Sequence, residues 1–286
     1  MSAKLLEGKA IAGKIKEDLK KEIESLKAKT GKGPKLVSIQ VGENAASAVY
    51  IKSQKKNAEN LGIEYELKTL DADLTQDGLI EEMGRLNSDK GVTAIIVQLP
   101  LPKQIDHKIV MAAIAPEKDA EGMHPTNLGR LLLGSSNLAP CTAQAVMELI
   151  LSTGIKLYGK EAVIVGHSEI VGKPLSMLLL KQFATTRVCH IATGERGVLA
   201  EHVKDAEVLV VAVGKAGLVK GDWIKKDAIV VDVGINRIEG KIVGDVEFEK
   251  AKERASYITP VPGGVGPLTV TMLLKNVVEA FKLQHQ

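Results

Sequence analysis

Aromatic side chains are scarce in this chain: Phe, Trp and Tyr make up 3% of its 286 residues, while hydrophobic residues reach 45%. A core is affordable, but it has to be built from Val, Ile, Leu and Ala. Cysteine is scarcer still. Cys141 and Cys189 stand far apart, and neither has a partner at metal or redox spacing. That argues against a thiolate metal centre and a disulfide framework, so no metal is expected and both read as small apolar residues of a reduced, cytoplasmic protein. Charge of one sign is missing too. Lys+Arg 38 against Asp+Glu 35 leaves +3, too balanced to argue for nucleic acid or an anionic membrane. No run of about 18 apolar residues occurs, so no transmembrane helix is expected. The N-terminal stretch MSAKLLEGKAIAGKIKEDLKKEIESLKAK alternates charged and aliphatic residues and lacks a signal-peptide core.

What is present is an alternation of helical and strand-like segments. The length suits one large domain or two modest ones. An amphipathic helix over 8–29 ends at TGKGP, and a strand follows at 36–42 (LVSIQVG). A helix comes next, then a strand at 63–70 (IEYELKTL), a helix at 74–89 and a strand at 92–102 (VTAIIVQLPLP). This order predicts a mainly parallel sheet covered by helices. Ligands gather at the carboxyl ends of such strands, here VGENAAS and QLPLP. Gln98 therefore lies near a predicted cleft, although a Gln at a strand end also serves as an ordinary loop hydrogen-bonder.

Residues 103–140 are loop-rich, and 142–154 read as a connecting helix. Then come the strand AVIVG, the turn GHSEIVGKP, the helix PLSMLLLKQF, and strands at 186–192, 206–214 and 228–236. That succession predicts a Rossmann-like dinucleotide domain, with backbone N–H groups at the helix start holding the pyrophosphate. The turn is G-x-S-x-x-x-G, Gly166 to Gly172, rather than the common G-x-G-x-x-G. A doubly wound domain that binds nothing there fits the same pattern. Near the end, YITPVPGGVGPLTV combines stiffening prolines with Gly263 and Gly264, which permit close backbone approach to a ligand. Pro267 suits the first turn of a final helix that packs back on the first domain. The expected organisation is an N-terminal α/β domain over 1–140, joined by the helix 267–286, and a Rossmann-like domain over 141–266.

The helix that begins in SAVYIKSQKKNAENLGI (47–63) divides its side chains sharply. At about 100° per residue, Tyr50, Ser53, Gln54, Asn57 and Leu61 share one face, while Lys52, Lys55 and Lys56 fall roughly 140–240° away. The tyrosine thus shares its face with neutral polar groups and the lysines point elsewhere, a pattern that a surface helix with a solvated basic face also gives.

The segments GENAASAVYIKSQKKNAENLGI, AIIVQLPLP, PEKDAEGMHPTNLGRL, PCTAQAV, VIVGHSEIVGKPLSMLL, GDWIKKDAIVVDVGINR and YITPVPGGVGPLTV together resemble the methylenetetrahydrofolate dehydrogenase/methenyltetrahydrofolate cyclohydrolase family. They occur in the family's order and cover nearly the whole chain. The resemblance implies a homodimer of two-domain α/β chains: an N-terminal folate-side domain, a C-terminal Rossmann-like dinucleotide domain and a cleft between them. It implies tetrahydrofolate derivatives as partners and NADP, or NAD, as cofactor. In the implied reaction the CH₂ bridging N5 and N10 of tetrahydrofolate loses a hydride and becomes a methenyl cation. In many members the same site then adds water and opens the cation to the 10-formyl form.

By position, the resemblance assigns Tyr50 to the folate ring system, Gln98 to the reaction centre and the carboxylate of Glu121 to the pterin N–H groups. Pro260 and Gly263 border both ligands. Gly166, His167, Ser168, Gly172, Lys173 and Ile235 belong to the dinucleotide site. Two positions depart from the family pattern. Its lysine four residues after the tyrosine is Gln54 here, and its aspartate is Glu121. Hydride loss needs position and electrostatics, but hydration of the cation needs a proton acceptor, and glutamine cannot titrate. The expectation is a dehydrogenase with weak or absent cyclohydrolase activity; the alternative is a fully bifunctional enzyme with Gln54 and Gln98 orienting water. More distant alternatives are a Rossmann dehydrogenase of another small substrate and a non-catalytic nucleotide sensor. Cofactor choice stays open: His167 and Ile191 are weak 2′-phosphate readers, and Glu195 is the acid an NAD site wants but has Arg196 beside it.

Overall fold

The aliphatic runs of the sequence become strands, and the amphipathic stretches between them become helices. The computed structural model describes residues 2–285, apart from the side chains of Ala45 and Ala46. In chain order the elements begin with β1 (Lys4–Leu5), α1 (Gly8–Thr30), β2 (Lys35–Val41), α2 (Ala45–Leu61), β3 (Glu64–Leu70), α3 (Gln76–Ser88), β4 (Ala94–Val97), α4 (His107–Ala113) and α5 (Pro125–Leu132). The chain divides into two units. One comprises Lys14–Ala139 and the chain from Val270 on, the other the chain up to Gly13 together with Pro140–Thr269.

In the first unit, β3, β2 and β4 form a parallel sheet in that order. β2 and β4 are almost wholly buried, as expected of parallel strands covered on both faces, whereas β3 is the more exposed edge. Val37, Ile39 and Ile95 pack against Leu79 and Met83 of α3 and Val110 of α4. α3 starts where Thr75 caps it, its hydroxyl accepting the Gly78 N–H at 3.1 Å, a contact worth about 1 kcal/mol. The strand expected over 92–102 is only Ala94–Val97, because Pro100 and Pro102 have no N–H to give the sheet.

The second unit adds α6 (Cys141–Leu151), β5 (Glu161–Val165), α7 (Gly172–Lys181), β6 (Thr185–Cys189), α8 (Ile191–Glu195), α9 (Leu199–Asp205), β7 (Val208–Val211), β8 (Ile229–Asp232), β9 (Asn236–Ile238), β10 (Lys241–Val243), α10 (Phe248–Arg254) and β11 (Tyr257–Ile258). Its six-stranded sheet runs β1-β11-β8-β7-β5-β6, every pairing parallel. α6, expected only as a connector, packs on α7 and β8. The observed strands are shorter than the aliphatic runs: their carboxyl ends bend away into loops, and Ile191 already belongs to a short helix. β9 and β10 form a separate antiparallel pair.

The domain boundary differs from expectation at the N-terminus. β1 pairs with β11, Lys4 opposite Tyr257, so the residues up to Gly13 belong with the dinucleotide unit rather than with a domain spanning 1–140. The closing helix α11 (Val265–Gln284) starts in the second unit and continues in the first. There the buried Asn276 donates its Nδ2 to the Ala120 and Ala139 carbonyls at 2.9 and 3.0 Å, and Gln284 donates to the Thr93 carbonyl at 2.8 Å.

Candidate active site

Two glutamines meet at the carboxyl end of β4. Gln54 is buried on α2, one turn beyond the half-exposed Tyr50. Its Oε1 accepts from Gln98 Nε2 at 2.8 Å and from the Tyr65 hydroxyl at 3.1 Å. Gln98 Nε2 also donates to Ser38 Oγ at 2.9 Å, and its backbone N–H donates to the Ile39 carbonyl at 2.8 Å. The helical wheel is borne out here: Lys52, Lys55 and Lys56 are all exposed, and the cluster around Gln54 is neutral. Ser38 and Tyr65 were not singled out from the sequence. The available signal was a lone hydroxyl inside the apolar run LVSIQVG, but only strand register brings it to Gln98. Burial pushes the Tyr65 phenol up, and the Ser38 hydroxyl works against the rise. A cation reaches the next turn of α2 from α1: Lys16 Nζ donates to Asn57 Oδ1 at 2.6 Å, and burial lowers its pKa.

Glu121 sits in a loop tied to β4. Ala120 donates its N–H to the Ile95 carbonyl, and the fully buried Asp119 gathers the loop by accepting from Gly122 N, His124 N and Asn127 Nδ2 at 3.0, 2.8 and 2.9 Å. Gly122 has φ 71°, and a Cβ there would overlap the Ala139 backbone. The Glu121 side chain keeps some exposed surface, yet its carboxyl lies deep enough that burial pushes its pKa up to about 8, with the Asp119 charge adding to the rise. Tyr50, Gln54, Gln98 and Glu121 thus all belong to the first unit.

In the second unit the G-x-S-x-x-x-G turn follows β5. A Cβ on Gly166 would overlap the Ala212 carbonyl oxygen, and one on Gly172 would overlap the Gly166 carbonyl oxygen, so both glycines answer to close backbone packing. Ser168 Oγ accepts the Val171 N–H at 3.1 Å and tightens the turn before α7. A cavity of about 730 Å³ opens beside it, lined by Gly166, His167 and Ser168 and, beyond them, by His190, Ile191 and Val213. The His167 and His190 rings lie 5.3 Å apart. Glu195 and Lys215 also line this cavity. Gly172, Lys173 and Ile235 do not line it: Gly172 is buried under the turn, Lys173 is exposed with Glu169 3.7 Å away, and Ile235 is exposed beyond β8.

The loops behind this cavity are fixed by two buried acids that sequence reasoning missed. Asp245 accepts from Val213 N, Gly214 N and Asn236 Nδ2 at 2.7, 2.9 and 2.9 Å. Asp232 accepts from Gly234, Asp245 and Val246 N–H groups, and burial pushes it up to about 6 despite them. Pro260 lines a different cavity, of about 550 Å³, with Asp232 and Val261. Gly263, at φ 112°, accepts the Gly8 N–H through its carbonyl at 2.9 Å.

A tightly packed glycine turn, a helix starting at it and a roomy cavity at the carboxyl ends of parallel strands fit a dinucleotide. These features define a two-domain α/β protein with a Rossmann-like dinucleotide-binding unit. Residues 6–121 match the catalytic domain of tetrahydrofolate dehydrogenase/cyclohydrolase, and residues 140–285 match its NAD(P)-binding domain. The chain belongs to the tetrahydrofolate dehydrogenase/cyclohydrolase family. It is 52% identical to the bifunctional protein FolD of Acetivibrio thermocellus over 285 residues, covering 99% of both chains. Identity to FolD of Bacillus subtilis is 48% over 283 residues, again with 99% of each covered. Among solved structures, the bifunctional FolD of Campylobacter jejuni superposes with TM-score 0.94 at 46% identity over 99% of both chains. The Trypanosoma brucei enzyme, complexed with NADP and an inhibitor, gives 0.92 at 40% identity over 100% of this chain and 99% of that one.

Proposed function

We propose that this member of the family acts in one-carbon metabolism chiefly as a methylenetetrahydrofolate dehydrogenase, with the cyclohydrolase step weak or absent. The chain is an oxidoreductase that takes hydride from 5,10-methylenetetrahydrofolate, with NADP as its cofactor. When bound, the nicotinamide supplies the hydride acceptor. The observation that carries the finer reading is Gln54 itself, whose oxygen is engaged by Gln98 and Tyr65 at a position that holds no titratable amine. The N5 and N10 lone pairs expel the hydride without a protein base, whereas hydration of the cation loses the 10²–10⁴-fold help a positioned base typically gives.

In this reading Tyr50 packs on the folate rings, Glu121 holds the pterin N–H groups, and Gln98 works at the reacting carbon. Pro260 and Gly263 border the ligands, and Gly166, His167 and Ser168 hold the dinucleotide. Gly172 supports the turn by packing. The protein acts as a homodimer in the cytoplasm; among the described residues no helix is long and apolar enough to cross a membrane. The test is the enzyme-dependent loss of 5,10-methenyltetrahydrofolate at neutral pH. Loss at a rate comparable to hydride transfer overturns the finer reading. One observation favours the bifunctional alternative. Gln98 Oε1 and Gln54 Nε2 have no protein partner among the described residues and are not buried orphans, so together they could orient a water.

Tyr50→Phe is expected to weaken folate binding less than Tyr50→Ala, because a half-exposed ring on the ligand face contributes mainly stacking. Equal loss of folate affinity in the two variants, measured by titration, would remove the stacking role.

A further inference from the structure

The two hydroxyls behind the glutamine pair decide which end of each amide faces the ligand. A side-chain amide can turn over at little cost unless its hydrogen bonds tell oxygen from nitrogen. Gln54 and Gln98 are joined by one N–H···O bond of 2.8 Å. One amide must therefore turn its NH₂ inward and the other its oxygen, and each presents its opposite end outward. Two arrangements satisfy that bond. In one, Gln98 offers its oxygen and Gln54 its NH₂; in the other, both are reversed.

Ser38 and Tyr65 break the tie. A phenol is a better hydrogen-bond donor and a poorer acceptor than an aliphatic hydroxyl, because its oxygen lone pair is drawn into the ring. Tyr65 therefore favours facing an oxygen, and it stands 3.1 Å from Gln54 Oε1. The Ser38 hydroxyl is the better acceptor, and it takes the second N–H of Gln98 at 2.9 Å. Ser38 is fully buried and Tyr65 is partly so, which leaves little water to compete for either bond.

We infer that Ser38 and Tyr65 are positioning residues that hold Gln98 with its NH₂ turned inward and its carbonyl oxygen free for the carbon that becomes cationic. The inference rests on the dehydrogenase reading above. In that step a C–H bond of the bridging CH₂ breaks, the hydrogen leaves with both electrons to the nicotinamide acceptor, and the positive charge spreads over N5, the carbon and N10. A fixed carbonyl dipole stabilises that charge without having to reorganise; an NH₂ in its place would oppose it.

The test compares a cation with a neutral ligand, in the absence of dinucleotide. 5,10-Methenyltetrahydrofolate and tetrahydrofolate are titrated in rapid-mixing experiments against the wild type, Tyr65→Phe and Ser38→Ala. Each variant is expected to lose affinity for the cation by about tenfold, the size of one hydrogen bond to a charged group, while the neutral ligand moves less than about twofold. In turnover, kcat should fall with the folate KM nearly kept, and Ser38→Thr, which keeps the hydroxyl, should bind the cation better than Ser38→Ala. Equal weakening toward both ligands, or no change, overturns the inference and leaves the dehydrogenase reading standing. A wild type that binds neither folate overturns that reading and the inference with it.

Discussion

Replacing Gln54 with lysine is expected to raise the hydrolysis of 5,10-methenyltetrahydrofolate by about 10²- to 10⁴-fold, the range of a well-placed general base. The new amine would enter a buried, neutral cluster, where desolvation lowers a lysine pKa and makes it a usable base near neutrality. Its neighbours can accept it. The Tyr65 hydroxyl offers a lone pair, and Gln98 can turn so that its oxygen, not its NH₂, meets the ammonium. That turn has a cost on the other reaction, since it removes the carbonyl oxygen from the reacting carbon and adds a like charge beside a developing cation. Dehydrogenase kcat should therefore fall as cyclohydrolase activity rises. The hydrolysis rate should climb with pH through the pKa of the amine. A quench assay of both reactions across pH 6 to 9 (roughly the span of a lowered lysine pKa) checks this. No gain means that the site no longer holds a water. A wild type that already hydrolyses as fast as it transfers hydride makes the lysine dispensable and removes the argument from Gln54.

Folate affinity is expected to rise with pH by about tenfold per unit below pH 8 and to level off above it. The cause is Glu121, whose carboxyl burial and the Asp119 charge push up to about 8 from 4.5. In the free protein at neutral pH it is mostly protonated, but the pterin N–H donors call for a carboxylate. Binding must then expel a proton, which calorimetry in two buffers of different ionisation enthalpy would register. Glu121→Gln should flatten the pH dependence and, above pH 8, cost about 1.5–3 kcal/mol of binding, the worth of a charge-assisted contact. The same group works in the opposite sense on stability. Its folded pKa is raised, so its contribution is complete below about 4.5 and is lost as pH rises through about 8. Glu121→Gln should therefore melt higher than the wild type at pH 9 (about one unit above that pKa). Unchanged folate affinity in the variant removes Glu121 from the site.

The fold was legible where sequence pattern and burial coincide. Val163–Val165, Val208–Val211 and Ile229–Val231 are buried on both faces, and their unbroken aliphatic runs mark them as central parallel strands. β1 and β11 were not legible, because two residues carry no period and Lys4–Leu5 looks like a helix lead-in. In the site, Tyr50, Gln54 and Gln98 could be placed by helical phase and strand end. Ser38 and Tyr65 could not, since their part depends on the register of β2 against β4 and of β3 against β2. Gly172 and Gly166 illustrate a different limit. The sequence marks both as special, but only the backbone shows that Gly172 serves Gly166 rather than the cavity.

The pairing of β1 with β11 makes the second unit discontinuous along the chain, and α11 does the same for the first. Lys4 and Leu5 lie far along the chain from their strand partners Tyr257 and Ile258. The first unit likewise takes Asn276 from the chain beyond Val270. Neither unit is built from one continuous stretch of chain, and contacts between residues so distant in sequence are slow to form. Cutting the chain at Ala139–Pro140 would therefore not release two intact domains. Each fragment would lack a piece of its own unit held by the other.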